Sequence, residues 1–175
     1  MRIAAFISVI AFAGLAVVRG QGPDARLQGQ LKQLFPAATS FSVREGDPPH
    51  FKAFSGSGRA GPQSVVGYAF WTTDLQPLER GYDGPIKMLV GLDTKGILTG
   101  ILVTEHHEPY GDFSIDPPAF ASQFKGKDIR DAFRVGGDVA AVSRATITVT
   151  SATRAIRNSA RRVARALLTP PSPSE

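Results

Sequence analysis

Ile147-Thr-Val-Thr-Ser-Ala-Thr-Arg-Ala-Ile-Arg-Asn-Ser-Ala-Arg-Arg-Val-Ala-Arg-Ala-Leu167 places Val149, Ala152, Ile156, Ala160, Val163 and Leu167 at spacings of three and four. That is the apolar stripe of a helix laid on a sheet. Arg154, Arg157, Arg161 and Arg165 fall largely between the stripe positions and are assigned to the solvent side, where charge on such a helix is ordinary. Upstream, Gly136-Gly137 ends one element, Asp138 to Val142 is short and apolar, and Ser143-Arg-Ala-Thr146 leads into the helix. Ser and Thr there are suited to capping its first amides. A helix start also offers unpaired N–H groups and the positive end of the dipole, which together favour a phosphate.

The sheet under this helix is read from the middle of the chain. Val65 to Thr72 is rich in Val, Tyr, Phe and Trp, the residues enriched in strands. Pro85 to Leu92 and Ile97 to Glu105 form a hairpin about Asp93-Thr-Lys-Gly96. Phe41 to Val43 and Phe51 to Phe54 are further strands around the turn Glu45-Gly-Asp-Pro-Pro49, and Ser55 to Pro62 is a loop of turn residues. Tyr68 and Trp71 are assigned to the sheet core. Tyr110 to Pro118 is turn-rich, and Ala119 to Phe124 and Asp128 to Phe133 read as two short helical pieces. The expectation is an α+β protein: a single small domain, mainly antiparallel sheet, with packed helices including a long C-terminal one.

The N-terminus carries a different signal. Met1-Arg2 is positive, Ile3 to Val18 is uncharged, and the run breaks at Arg19-Gly20-Gln21-Gly22-Pro23. The run is shorter than the ~20 apolar residues of a spanning helix, as signal-peptide cores are. Residues 1–20 are therefore read as a signal peptide cleaved before Gln21, with an uncleaved membrane anchor as the alternative. Residues 21–34 are a short amphipathic helix with Leu27, Leu31 and Leu34 on one face, residues 35–168 the domain, and 169–175 a disordered tail. Without Arg2 and Arg19 the formal charge falls from +5 to +3, 18 basic residues against 15 acidic. An exported chain is not expected to meet nucleic acid. The absence of cysteine excludes disulfides, thiolate zinc sites, iron–sulfur clusters and Cys-x-x-Cys-His haem attachment. Redox chemistry is left to an organic cofactor or a non-thiolate metal site.

Val142-Ser143-Arg144-Ala145-Thr146-Ile147-Thr148 resembles the Ser/Thr-Gly-Ala-Thr motif of the FMN-binding domains of the NosR, RnfG and NqrC group. Gly81-Tyr82-Asp83-Gly84 and the strands after it look like that family's Gly-Tyr-x-Gly segment and strand pair. Thr104-Glu105-His106-His107-Glu108-Pro109 is similar to the NosR form of its His-x-Glu-Thr-Pro-Gly segment. The resemblance implies FMN joined by a phosphoester to Thr146, placed there by a flavin transferase that uses FAD. It also implies that Ser143, Arg144, Ala145 and Tyr82 border the cofactor, with His106, His107, Glu108 and Pro109 along the flavin. Two positions depart from the pattern: Arg144 stands where glycine is usual, and Ala140 where an Asp is expected, Asp138 being two places too early.

Other chemistries find less support in the residues. His106 and His107 are adjacent, so at the end of a strand they alternate faces and do not converge on one ion. Ser143 lies on no Gly-x-Ser-x-Gly elbow, and Asp112 and Asp116 read as solvated. Thr148 and Thr150 are expected to be dispensable for flavin occupancy. The resemblance implies a periplasmic electron carrier or accessory redox protein, more than a stand-alone enzyme, that supports nitrous oxide reductase or another periplasmic respiratory reductase through a periplasmic or membrane redox partner. The arginine face is a candidate docking surface for it. A flavin-free binding or regulatory module that keeps the fold is the alternative. N-terminal sequencing of the exported protein is expected to begin at Gln21; an intact Met1 contradicts cleavage.

Overall fold

The computed structural model describes residues 22–56 and 63–168. The expected leader over residues 1–20, the tail over 169–175 and most of the loop over 55–62 lie outside the described residues. The elements run in the order α1 (Ala25–Leu34), β1 (Ser40–Phe41), β2 (Phe51–Ser55), β3 (Ser64–Trp71), β4 (Lys87–Asp93), β5 (Leu98–Glu105), α2 (Gly111–Ser114), α3 (Pro118–Ser122) and α4 (Thr146–Leu167). The strands form one antiparallel meander in the order β1-β2-β3-β4-β5. The α+β architecture read from the sequence is the one observed, and no helix among the described residues is long and apolar enough to cross a membrane.

Two apolar layers sandwich the sheet, and the alternation of side chains along a strand explains them. Phe70, Met88, Val90, Leu92, Leu98 and Ile101 face the stripe of α4, together with Phe120, Phe124 and Phe133. On the other face Phe51, Ala53, Ala69 and Leu89 meet Leu31, Leu34 and Phe35 of the α1 region. Because both faces of β4 are covered, it reads as the continuous apolar run Met88-Leu-Val-Gly-Leu92 rather than an alternating one. Phe35 is seated by a missing side chain: a Cβ on Gly67 would lie 2.5 Å from its Cε1 and 2.5 Å from the Leu92 carbonyl oxygen. Tyr68 packs partly buried on the α4 layer and Trp71 on the α1 layer, so both belong to the core margin.

Three local expectations are corrected. The first strand stops at Phe41 instead of Val43, because the Ser42 hydroxyl takes the Lys52 N–H at 2.9 Å, diverting the ladder. Asp128 to Phe133 is not helical. The Asp128 carboxylate accepts the Arg130 amide at 2.9 Å and its own N–H bonds to Asp131 Oδ2 at 3.0 Å, a local turn that competes with helix. Its bonds from Arg130, side chain first and then backbone, hold its pKa down at about 2. Tyr110 to Pro118 contains the short helix α2 within its turns.

Truncating the α1 anchor should be costly and filling its exposed glycine helpful. Leu31→Ala removes a fully buried side chain and is expected to cost about 2–5 kcal/mol. Gly29→Ala, whose Cβ would meet nothing within 4 Å on the exposed side of α1, is expected to stabilise by roughly 0.4–1 kcal/mol. Urea unfolding of both variants measures the pair.

Candidate functional site

The first turn of α4 is where the sequence expectations converge. Thr146 is the first helical residue and Ala145 is the N-cap, and among the described residues no side chain bonds to the first amides. Ser143 and Thr146 thus do not cap the helix as expected, and the turn is left free to receive an outside acceptor. Arg144 has φ +70°, the left-handed region that glycine enters at no steric cost. The place usually held by glycine is therefore a backbone position that needs one, and Arg144 occupies it under strain of about 1–3 kcal/mol. Arg144 is exposed, as is Thr146 two residues on.

A cavity of about 270 Å³ opens at this turn, lined by Tyr82, Tyr110, Arg144, Ala145, Thr146, Ile147 and Thr148. Tyr82 is 69% exposed and Ile147 57%, and Tyr110 stacks at a tilt on Phe113 with 5.6 Å between centroids. These account for four of the five exposed large apolar side chains among the described residues, the fifth being Val43. Larger clefts of about 640 and 360 Å³ run along the C-terminal half of α4. Neither is lined by a residue expected to touch a cofactor.

Behind the cavity wall lies Glu108, only 6% exposed. Its carboxylate accepts the Tyr82 N–H at 3.0 Å, the Asp83 N–H at 3.0 Å and the Thr148 hydroxyl. Thr148 is itself 2% exposed. A Cβ on Gly81 would overlap Glu108 Oε1, so the carboxylate fills the space a side chain would take. Burial alone raises the Glu108 pKa, but the bonds from Thr148, Asp83 and Tyr82, with nearby His106, outweigh it and hold the carboxyl below its ordinary value. His106 buttresses the same segment: Nδ1 accepts the Glu108 N–H at 3.1 Å and Nε2 lies 2.8 Å from Asp116 Oδ1. That pairing leaves Nε2 as the donor. It also gives Asp116, read as merely solvated, a partner.

Of the residues expected from the sequence, Tyr82, Arg144, Ala145 and Thr146 line the cavity. Glu108 and His106 stand behind it, and Ser143, His107 and Pro109 are exposed outside its lining. Tyr110, Ile147 and Thr148 line it without having been expected. Thr148 is the largest surprise, since its place two residues after Thr146 in the motif was the available signal. Asp138 does not substitute for the carboxylate missing at Ala140. It takes the Phe133 and Arg134 amides at 3.0 and 2.5 Å and Lys127 Nζ at 2.9 Å. Although burial opposes ionisation, these partners bring its pKa down to about 2. The arginine face is likewise partly engaged. Arg154 pairs with Glu79 at 2.6 Å, Arg161 donates to the Ile129 and Asp131 carbonyls at 2.7 and 2.8 Å, and Arg162 donates to the Gln76 carbonyl.

Residues 81–161 match the FMN-binding domain family. The chain is 29% identical to regulatory protein NosR of Pseudomonas aeruginosa over 148 residues, 79% of this chain and 20% of that protein. It is 48% identical over 48 residues to a component of the ion-translocating oxidoreductase complex of Haemophilus influenzae, covering 27% of this chain and 21% of the relative. With the corresponding component of the Escherichia coli complex it shares 34% over 87 residues, 44% of this chain and 42% of the relative. The chain thus spans about a fifth of the length of the first two.

The Glu108 linkage gives a pH test. Its folded pKa lies below 4.5, so its stabilisation is complete above the unfolded value and is lost as pH falls through the folded one. Between about pH 5 and pH 3 the melting temperature of Glu108→Gln is expected to fall less steeply than that of the unsubstituted protein. Parallel curves contradict the linkage.

Proposed function

We propose, from the premise that this chain carries an FMN-binding domain related to NosR and to a component of ion-translocating oxidoreductase complexes, that it holds FMN across the start of α4 and serves as an exported electron carrier. The observation that carries this reading is the uncapped first turn of α4, where the exposed Thr146 opens onto a cavity walled by Tyr82 and Tyr110. The residues fit the group. The first amides and the dipole favour its phosphate, the Arg144 guanidinium adds a charge-assisted partner, and the two phenol rings with Ile147 offer apolar surface to its ring system. Bound FMN would supply the reversible electron chemistry of the site. Ala145 adds a small apolar side chain to the cavity lining, and Ser143 precedes Arg144 on the same turn. His107 and Pro109 lie on the segment that His106 and Glu108 hold.

Thr146 is the proposed attachment point. A flavin transferase with FAD as donor forms the bond between Thr146 Oγ1 and the FMN phosphorus as the pyrophosphate bond breaks. AMP leaves with the proton of the hydroxyl. The engagement of Asp138 by its own loop, with Ala140 exposed and without a carboxylate, favours a second reading in which FMN is held without the covalent bond. The leader over residues 1–20 supports export to the periplasm, with membrane association only if that segment is retained. The likeness to NosR supports service to nitrous oxide reductase or another periplasmic respiratory reductase through a periplasmic or membrane redox partner.

Protein exported alongside a flavin transferase is expected to turn yellow and to keep, after denaturation, the added mass of FMN less one water. Thr146→Ala should abolish the added mass, Thr146→Ser should retain part of it, and Ala140→Asp should raise occupancy. Colour that denaturation removes supports the non-covalent reading. A colourless protein that also fails to bind free FMN ends both.

A further inference from the structure

Three segments separated by long stretches of chain meet at one buried group. The loop Gly81 to Asp83 reaches it through two backbone amides, the 106–108 segment supplies it, and α4 reaches it through the Thr148 hydroxyl. Both Tyr82 and Thr148 line the cavity, while the carboxylate itself does not. Among the described residues the amides of Tyr82 and Asp83 bond to this carboxylate alone, so it anchors the turn carrying the highly exposed Tyr82, which the Gly81 N–H closes on the Gly84 carbonyl at 2.6 Å. We infer that Glu108, seated by Thr148, is the positioning residue of the flavin site: it fixes the Tyr82 wall against the start of α4 and sets a fixed negative charge one side chain behind the cofactor.

This rests on the reading that FMN occupies the cavity. Two consequences separate it from ordinary structural support. Loosening the Tyr82 wall lowers flavin affinity even where the fold is intact, because a mobile wall must be ordered at each binding event. A buried negative charge near the cofactor also opposes the addition of electrons, so neutralising it shifts the reduction potential in a known direction. Thr148 contributes through the hydroxyl alone. Valine keeps its shape and loses the bond, while serine keeps the bond.

The experiment uses the full chain made without a transferase, titrated with free FMN and followed by flavin fluorescence, with the midpoint potential and the melting temperature of each variant. Thr148→Val is expected to bind FMN about tenfold more weakly, as losing a hydrogen bond to a charged group implies. Thr148→Ser should return affinity to near the unsubstituted value. Gly81→Ala, whose Cβ would overlap Glu108 Oε1, should weaken binding in the same sense. Glu108→Gln should raise the midpoint potential. Should the unsubstituted protein bind FMN while folded Thr148→Val and Gly81→Ala bind it equally well, and Glu108→Gln leave the potential unmoved or lower it, the positioning role is overturned and the flavin site stands. Failure of the unsubstituted protein to take up FMN, either free or when exported alongside a transferase, overturns both. If Thr148→Val does not fold, affinity in Gly81→Ala and the potential of Glu108→Gln decide the matter.

Discussion

A carboxylate withdrawn from water is costly unless its oxygens are paired, and the region around Glu108 is built to meet that demand. Two amides and one hydroxyl pair its oxygens, and an imidazole two residues away holds its backbone N–H. In meeting it, they join the loop before β4, the segment after β5 and the start of α4. The sheet alone does not join them, because each lies at or beyond the end of a regular element. The sandwich of α4 and α1 on the meander gives the domain its stability. The paired carboxylate gives one end of that sandwich a defined shape.

The other feature of that end lies in the backbone. A helix begins without a side-chain cap, preceded by a residue in the left-handed region. In α1, by contrast, the Asp24 side chain accepts the Leu27 amide, as a preferred N-cap residue does. In α4 the first amides face a cavity with a cationic side chain on its rim and two phenols in its walls. Arg144 carries backbone strain and brings a positive charge where a phosphate is expected.

The fold was legible because its signals are periodic. The α4 stripe, the β4–β5 hairpin about Asp93 to Gly96 and the aromatic run of β3 all appear where their patterns place them, within a few residues. What misled was local competition. Asp128 reads as a helix start, yet its carboxylate prefers its own turn, and Ser42 ends a strand that hydropathy would continue. The site was half legible. Thr146, Arg144, Ala145 and Tyr82 share one cavity, as a motif-level likeness implies. Thr148 and Tyr110 escaped because their importance comes from contacts across the chain: one bonds to a residue forty positions away, the other shares a cavity with Tyr82 only once the sheet is folded. The arginines of α4 read as a solvated face because sequence spacing cannot show carbonyl partners such as those of Ile129 and Asp131.

In the proposed complex the phosphate sits on the first turn of α4 and the ring system lies against Tyr82, Tyr110 and Ile147. A crystal structure of the flavin-loaded protein tests this placement most directly. The phosphorus should lie beside Thr146, within reach of the first amides and Arg144, and the ring in the 270 Å³ cavity. A flavin lodged instead in the 360 Å³ cleft lined by Gln76, Glu79 and Arg162, with the start of α4 vacant, would contradict it.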